Sequence, residues 1–109
     1  MSDYPKYLKW GDYKSQDKDN PDVIHVEVTD PEPYRTTYDW HFNGYVGIEE
    51  KHIPLRGTTI TQQPYGQYLQ LLHEGNVTVG TKLVIKTWLR QSTRNRENQI
   101  REFEIKVSS

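Results

Sequence analysis

Basic side chains are concentrated in the last third of the sequence, on both sides of a tryptophan. Residues 77–109 carry seven lysines and arginines against three acidic residues, whereas residues 1–50 carry five basic residues against eleven acidic ones. Guanidinium and ammonium groups bind phosphate oxygens, and an exposed aromatic ring can stack on a nucleobase. The candidate binding residues are therefore Lys86, Trp88, Arg90, Arg94, Arg96 and Arg101.

Two strand patterns flank this basic region and would position it. Residues 81–90 and 100–107 alternate with the period of two that is typical of β-strands, and residues 91–99 form a polar, basic loop between them. Trp88 shares its parity with Lys86 and Arg90 rather than with Leu83 and Ile85. We therefore expect an exposed indole beside the arginines of the loop.

The rest of the chain also consists mainly of segments with strand patterns. Three further segments have strand patterns: 4–13, 23–29 and 36–42. Tyr38, Trp40 and Phe42 share one parity, which we expect to face the core. Residues 65–74 have a helical apolar stripe, with Pro64 in the first turn and Gly75 as the C-cap.

Turn signals separate these elements. Asp30-Pro31-Glu32-Pro33 is expected to break the chain after the second strand, because proline fixes φ and lacks a backbone donor. Asn43-Gly44 is a hairpin signal, followed either by a short returning strand or by a bend in the third strand. Residues 14–22 form a polar loop, and residues 44–60 form an irregular link before the helix.

Composition limits the class of protein. A chain of 109 residues fits a single domain, 1–109, and its 12% aromatic content argues against disorder. The absence of cysteine excludes disulfides, thiolate catalysis and cysteine-based metal sites. The N-terminus is polar, and no apolar run approaches the roughly 20 residues of a membrane span. We expect a cytoplasmic protein that does not enter a membrane.

The order strand, strand, strand, helix, strand, strand resembles that of the oligonucleotide/oligosaccharide-binding (OB) fold, a small five-stranded barrel. The resemblance covers residues 4–107, and segment 79–85 is similar to the entry of a fourth strand in such barrels. It implies a mainly β, OB-like barrel with one short helix between strands 3 and 4. The alternative is a β-sandwich or a curved sheet with a packed helix.

The resemblance also implies where a ligand binds. Proteins of this fold bind single strands over strands two and three, between the loops that join strands one to two and four to five. In this chain these elements correspond to four segments: 23–29, 36–43, 14–22 and 91–99.

No pattern indicates catalysis. The four histidines have no metal-ligand spacing, and the phosphate-loop, serine-nucleophile and zinc-protease motifs are absent from the sequence. His25 and His41 would point the same way from neighbouring strands if the register allowed it. We expect no enzyme activity, no metal and no cofactor.

The sequence thus predicts non-enzymatic binding of single-stranded DNA or RNA with low sequence specificity. The alternative is a protein-interaction or assembly subunit, which would form a homo-oligomer through its acidic first half and basic last part. A third interpretation is an oligosaccharide-binding module that uses exposed tyrosine and tryptophan rings.

Overall fold

Strands make up most of the part of the chain that the structure describes, as the alternating patterns predict. The computed structural model describes residues 6–35, 39–55, 64–91 and 99–108. In chain order the elements are β1 (Lys6–Tyr7), a 3-10 turn (Trp10–Asp12), β2 (Asp22–Arg35), β3 (Trp40–Val46), β4 (Glu49–Leu55), α1 (Tyr65–His73), β5 (Lys82–Gln91) and β6 (Gln99–Val107). The expected mainly β fold with one short helix is confirmed for these residues.

The strands form a six-stranded sheet in the order β1-β4-β3-β2-β5-β6. Neighbouring strands are antiparallel, except that β1 and β4 run parallel. In the described parts of the chain β1 and β6 form the two edges, so the sheet is open rather than closed into a five-stranded barrel. The architecture agrees with the expected alternative of a curved sheet with a packed helix.

One strand lies in a segment that has no clear strand pattern. Residues 49–55, inside the irregular link, form β4 and pair with β3 over its whole length. The described part of the expected strand 4–13 is residues 6–13, and only the two residues of β1 within it join the sheet. The chain then turns so that the buried indole of Trp10 donates a hydrogen bond of 2.9 Å to the carbonyl oxygen of Pro54. The helix therefore follows the third of the five long strands, β2 to β6.

The expected break at Pro31 and Pro33 is wrong, because β2 continues through both prolines to Arg35. Its pairing with β5 ends at Glu27, so among the described strands only β3 pairs with the later part of β2. The register between β2 and β3 shifts twice in this part, after Val28 and again before Tyr34. Proline is tolerated at such bulges and unpaired strand edges, where no ladder donor is needed.

The expected turn at Asn43-Gly44 is also wrong, because both residues lie within β3. The turn follows at Gly47, which has a φ of 68° that favours glycine. Gly44 is required for a different reason: a Cβ atom there would lie 2.4 Å from Cγ1 of Val26. The glycine lets β2 and β3 approach closely.

One face of the sheet, which we call the inner face, packs against α1 and forms the core. Phe42 stacks on Tyr68 of the helix with ring centroids 4.4 Å apart, and Trp40 stacks on Tyr65 at 5.5 Å. The core positions expected for Trp40 and Phe42 are confirmed, while Tyr38 lies outside the described residues. The buried core residues are Leu8, Trp10, Ile24, Val26, Val28, Phe42, Ile53, Leu55, Tyr68, Val77, Leu83, Ile85, Phe103 and Ile105.

A helix side chain covers the free edge of β6. The Nε2 atom of Gln67 donates to the carbonyl oxygen of Phe103 at 2.9 Å, and its Oε1 atom accepts from the backbone N–H of Ile105 at 2.8 Å. These are the backbone groups that a further strand would use. The amide of Gln67 therefore replaces part of a neighbouring strand.

Candidate functional site

The opposite face of the sheet, the outer face, is open to solvent in the described residues. Glu50, Tyr45, Glu27 and Lys82 form a row across β4, β3, β2 and β5. Tyr45 of β3 is 42% exposed, and Val23, near the start of β2, is 46% exposed. Because α1 packs on the inner face, this surface is accessible to a ligand.

Three of the six predicted site residues lie together on the outer face of β5. Lys86, Trp88 and Arg90 alternate along the strand, with Trp88 half-buried and Arg90 exposed. Arg90 forms an ion pair with Glu102 of β6, and Trp88 lies opposite the same glutamate. The expected exposed indole is therefore partly covered.

The neighbouring part of β6 also carries charges of both signs. Nζ of Lys106 lies 2.9 Å from Oε1 of Glu104, which pairs in register with Lys86. The hydrogen bond from Lys106 lowers the pKa of the Glu104 carboxyl. A ligand phosphate would thus meet glutamates as well as lysines on this surface.

Arg101 lies apart from the other predicted contacts. It pairs in register with Leu89, on the side of β6 that carries Phe103, which is the inner face. Its guanidinium donates to Oγ1 of Thr87 at 3.1 Å and to the backbone carbonyl of Tyr13 at 2.6 Å. The geometry gives Arg101 a structural role.

Arg94 and Arg96 belong to residues 92–98, which lie outside the described residues. Their participation in a guanidinium cluster stays a prediction.

Sequence reasoning missed a second group on the outer face, where β1, β4, β3 and the end of β2 meet. We call its five residues, Tyr7, Tyr34, His41, Asn43 and His52, the tyrosine–histidine cluster. Tyr7 pairs in register with His52, His52 with Asn43, and Tyr34 with His41. Since His41 and Asn43 are two residues apart on β3, both rows stand on the same face.

The rings of the cluster contact one another. The Tyr7 ring centroid lies 5.1 Å from that of His41 and 4.7 Å from that of His52. Tyr34 stacks on His41 at 5.6 Å with an interplanar angle of 20°. Because Tyr7 is 50% exposed, much of its ring surface remains available for a further ring to stack on.

Hydrogen bonds fix the polar part of the cluster. Oδ1 of Asn43 lies 2.8 Å from the Tyr34 hydroxyl and 2.7 Å from Nδ1 of His52, and the hydroxyl also contacts that nitrogen. A carbonyl oxygen and an unprotonated ring nitrogen are both acceptors and would repel each other at this distance. We therefore assign a hydrogen to Nδ1 of His52, which leaves Nε2 as the acceptor of the neutral ring.

His41 is the most buried member of the cluster, at 4% exposure. Its Nδ1 atom is buried and has no hydrogen-bond partner in the described residues. Burial lowers the pKa of His41, although the carboxylate and backbone of the nearby Asp39 act in the opposite direction. The environment therefore favours the neutral form of the His41 ring, which Tyr7 and Tyr34 cover.

Carboxylates border the cluster. Burial raises the pKa of the Tyr34 hydroxyl far above its usual value, and the charges of Tyr7, Asp30 and Glu50 raise it further. Tyr34 therefore keeps its proton and acts as a donor. This part of the outer face offers a ligand rings and polar groups.

Wrong element boundaries explain why the cluster was missed. Tyr34 follows the prolines that were expected to end a strand, and His52 lies in the link without a clear pattern. The sequence pattern that could have revealed β4 is the alternation after His52, where the apolar Ile53 and Leu55 share one parity and His52 has the other. Recognising β4 would have placed His52 beside β3.

In the described residues no three histidine, aspartate or glutamate side chains come together as a metal site. His25 and His41 do not meet, because the partner of His41 on β2 is Tyr34.

A shallow depression of about 470 Å³ lies on the outer face near the turn between β3 and β4. Tyr45, Glu27, Lys82 and the 96% exposed Ile48 are among its lining residues. Glu27 and Lys82 pair in register but form no ion pair with each other. The depression thus combines exposed apolar surface with both signs of charge.

No protein-family model, curated protein or solved structure matches this chain. No helix in the described residues is long and apolar enough to cross a membrane.

Proposed function

We propose that this chain is a non-enzymatic module that binds single-stranded nucleic acid with little sequence preference. The tyrosine–histidine cluster carries this proposal, because it forms a ring-lined patch on an open sheet face with Tyr7 half exposed. Single-stranded bases stack on aromatic rings of such surfaces, and each stacked base contributes about 1–3 kcal/mol. Tyr45, exposed two residues beyond Asn43 on β3, offers a second ring.

The resemblance to the OB fold in element order supports the same surface. If the five long strands β2 to β6 are taken as the strands of such a fold, its strands two and three are β3 and β4. That fold binds its ligands over these strands and between two loops. The segments between the corresponding strands here are residues 36–39 and 92–98, and we propose that Arg94 and Arg96 of the second segment contact phosphates.

Lys86, Trp88 and Arg90 extend the proposed surface along β5. The ion pair between Arg90 and Glu102 is exposed, and such pairs contribute only about 0–1 kcal/mol. A phosphate can therefore replace the Glu102 carboxylate at little cost. Arg101 is not included, because its guanidinium is bound to Thr87 and Tyr13.

A fluorescence-anisotropy titration of labelled single strands across a range of salt concentrations tests this proposal. With few cations on the outer face, we expect log Kd to change by about 2 per tenfold change in salt, as for about three neutralised phosphates. Duplex of the same sequence is the control and should bind more weakly, because its bases cannot stack on the cluster. Absence of binding to any single strand at low salt would reject the proposal.

The depression on the outer face favours a second candidate, an assembly subunit that pairs with another copy of itself. Its lining contains exposed apolar side chains together with Glu27 and Lys82, which lie side by side without an ion pair. In a two-fold pair, Glu27 of each copy would meet Lys82 of the other. Sedimentation velocity over a concentration series tests this: a dimer that K82E weakens supports it, and a monomer at every concentration rejects it.

A further inference from the structure

We propose that Asn43 gives the module a limited base preference by donating a hydrogen bond from its side-chain amide to a carbonyl oxygen of the bound base. Tyr34 and His52 act as positioning residues for this amide. The inference rests on the proposed function and names the residue that discriminates between bases.

The orientation of the Asn43 amide carries the argument. Its Oδ1 atom already accepts from the Tyr34 hydroxyl at 2.8 Å and from Nδ1 of His52 at 2.7 Å. Its Nδ2 atom forms no hydrogen bond with any described residue, and Asn43 is only half-buried. The cluster therefore presents two N–H donors of Asn43 to a ligand and keeps the carbonyl oxygen occupied.

This arrangement disfavours adenine. Asparagine usually recognises adenine with its oxygen and nitrogen together, the oxygen accepting from the exocyclic amine. Because the Asn43 oxygen is occupied, that paired contact is not available. Adenine is also the one common base without an exocyclic carbonyl oxygen, whereas thymine and uracil have two. A base on the exposed Tyr7 ring should therefore be bound more tightly when it is thymine or uracil.

The test compares affinities for oligo-dT and oligo-dA of about ten nucleotides, a typical length for one such domain. One hydrogen bond of ordinary strength corresponds to a preference of about two- to tenfold for dT in the unmodified chain. In N43L we expect the dT to dA ratio of affinities to fall by that factor. Intrinsic differences between the two strands, such as stacking within oligo-dA, cancel when the ratios of two proteins are compared.

Two variants separate base reading from structural damage. Y34F keeps the ring but removes one of the two donors that hold the Asn43 oxygen, so the ratio should fall while the fold is retained. N76L changes an exposed asparagine in the loop after α1 and should leave the ratio unchanged. A strand of abasic sites should bind N43L and the unmodified chain equally.

The outcomes distinguish the two proposals. If oligonucleotides bind but the ratio is the same in N43L, Y34F and the unmodified chain, the role of Asn43 is rejected and the binding function stands. If no oligonucleotide binds the unmodified chain, the binding function is rejected and the role of Asn43 with it. A ratio that falls in N43L and Y34F, but not in N76L, supports both.

Discussion

The guanidinium of Arg101 donates a hydrogen bond of 2.6 Å to the backbone carbonyl of Tyr13, which joins the last strand to the loop before β2. The same guanidinium donates to Thr87 on the neighbouring strand. Arg101 thus ties together three segments that are distant in sequence. Within the described residues, Arg90 on the outer face of β5 contacts only the side chain of Glu102 and the adjacent Gln91 carbonyl, and both contacts are exposed.

The difference between these two arginines gives the first prediction. R101A should lower the free energy of unfolding by about 2 kcal/mol, because hydrogen bonds from charged groups contribute about 1.5–3 kcal/mol. R90A should lower it by less than about 1 kcal/mol, as is usual for exposed ion pairs. Urea denaturation measures both. Equal losses in the two variants would contradict the structural role of Arg101.

Gly44 gives the second prediction. G44A should lower the free energy of unfolding by about 1–3 kcal/mol, the usual range for an overpacked core, because the added Cβ would meet Val26 and the backbone of Glu27. Gly11 is a matched control, since a Cβ there would have no atom within 4 Å. Thermal or urea denaturation of G44A and G11A should therefore differ clearly, and equal stabilities would show that β2 and β3 can separate to admit a methyl group.

His41 gives a prediction for how the stability of the fold depends on pH. Its pKa is lowered by burial, so the folded chain holds this proton less tightly than the unfolded chain. The stability that depends on neutral His41 should be complete above the unfolded pKa of about 6.5 and decrease as the pH falls below it. In H41F, whose ring cannot be protonated, this part of the pH dependence should disappear. Urea denaturation of the unmodified chain and of H41F across this pH range measures the two profiles, and an equal pH dependence in both would contradict the role of His41.

Tyr7 gives a prediction for binding. Y7A should weaken the affinity for single strands by the amount of one stacked base, about 1–3 kcal/mol, whereas Y7F should bind like the unmodified chain. Anisotropy titration measures the affinity, and circular dichroism confirms that the sheet remains. If Y7A binds as tightly as Y7F, the ligand does not stack on the cluster.

Gln67 gives a prediction for self-association. In Q67A the backbone groups of Phe103 and Ile105 lose the amide that covers them, so β6 becomes an edge that can pair with another chain. Light scattering over time should show larger species for Q67A. Gln70, exposed on the same helix, is the control, and Q70A should stay like the unmodified chain. No difference between the two variants would mean that other features protect this edge.

Secondary structure could be predicted from the sequence where side chains alternate clearly between the buried core and the solvent. The inward positions of Ile24, Val26 and Phe42 followed from their parity, and the helix followed from its apolar stripe with Gly75, at φ 78°, just after its end. These signals are local, because burial on one face repeats every two or every three to four residues. The mainly β class and the helix itself were predictable for this reason, whereas the strands that precede the helix were not all predictable, because β4 has no clear pattern.

The candidate site was less predictable, because it depends on register. Two shifts between β2 and β3 bring Tyr34 opposite His41, and a pattern along one strand cannot show such a pairing. The side of the sheet on which Arg101 lies does not depend on register, because Arg101 shares the parity of the buried Phe103 and Ile105 along β6. The predicted turn at Asn43-Gly44 was wrong because the glycine is required by the close approach of Val26 and not by a turn.

The short pairing between β1 and β4 has a consequence for local opening of the sheet. Tyr7 lies on the N-terminal side of the anchors formed by the buried Leu8 and Trp10, and of the described N-terminal residues only Lys6 and Tyr7 pair with β4. Local opening of so short a pairing costs much less than unfolding of the sheet. The ring that completes the cluster is therefore also the one that detaches most easily, and its departure would uncover His41. Hydrogen exchange at Leu8, whose N–H bonds to the carbonyl of His52 at 2.9 Å, would report the free energy of this opening.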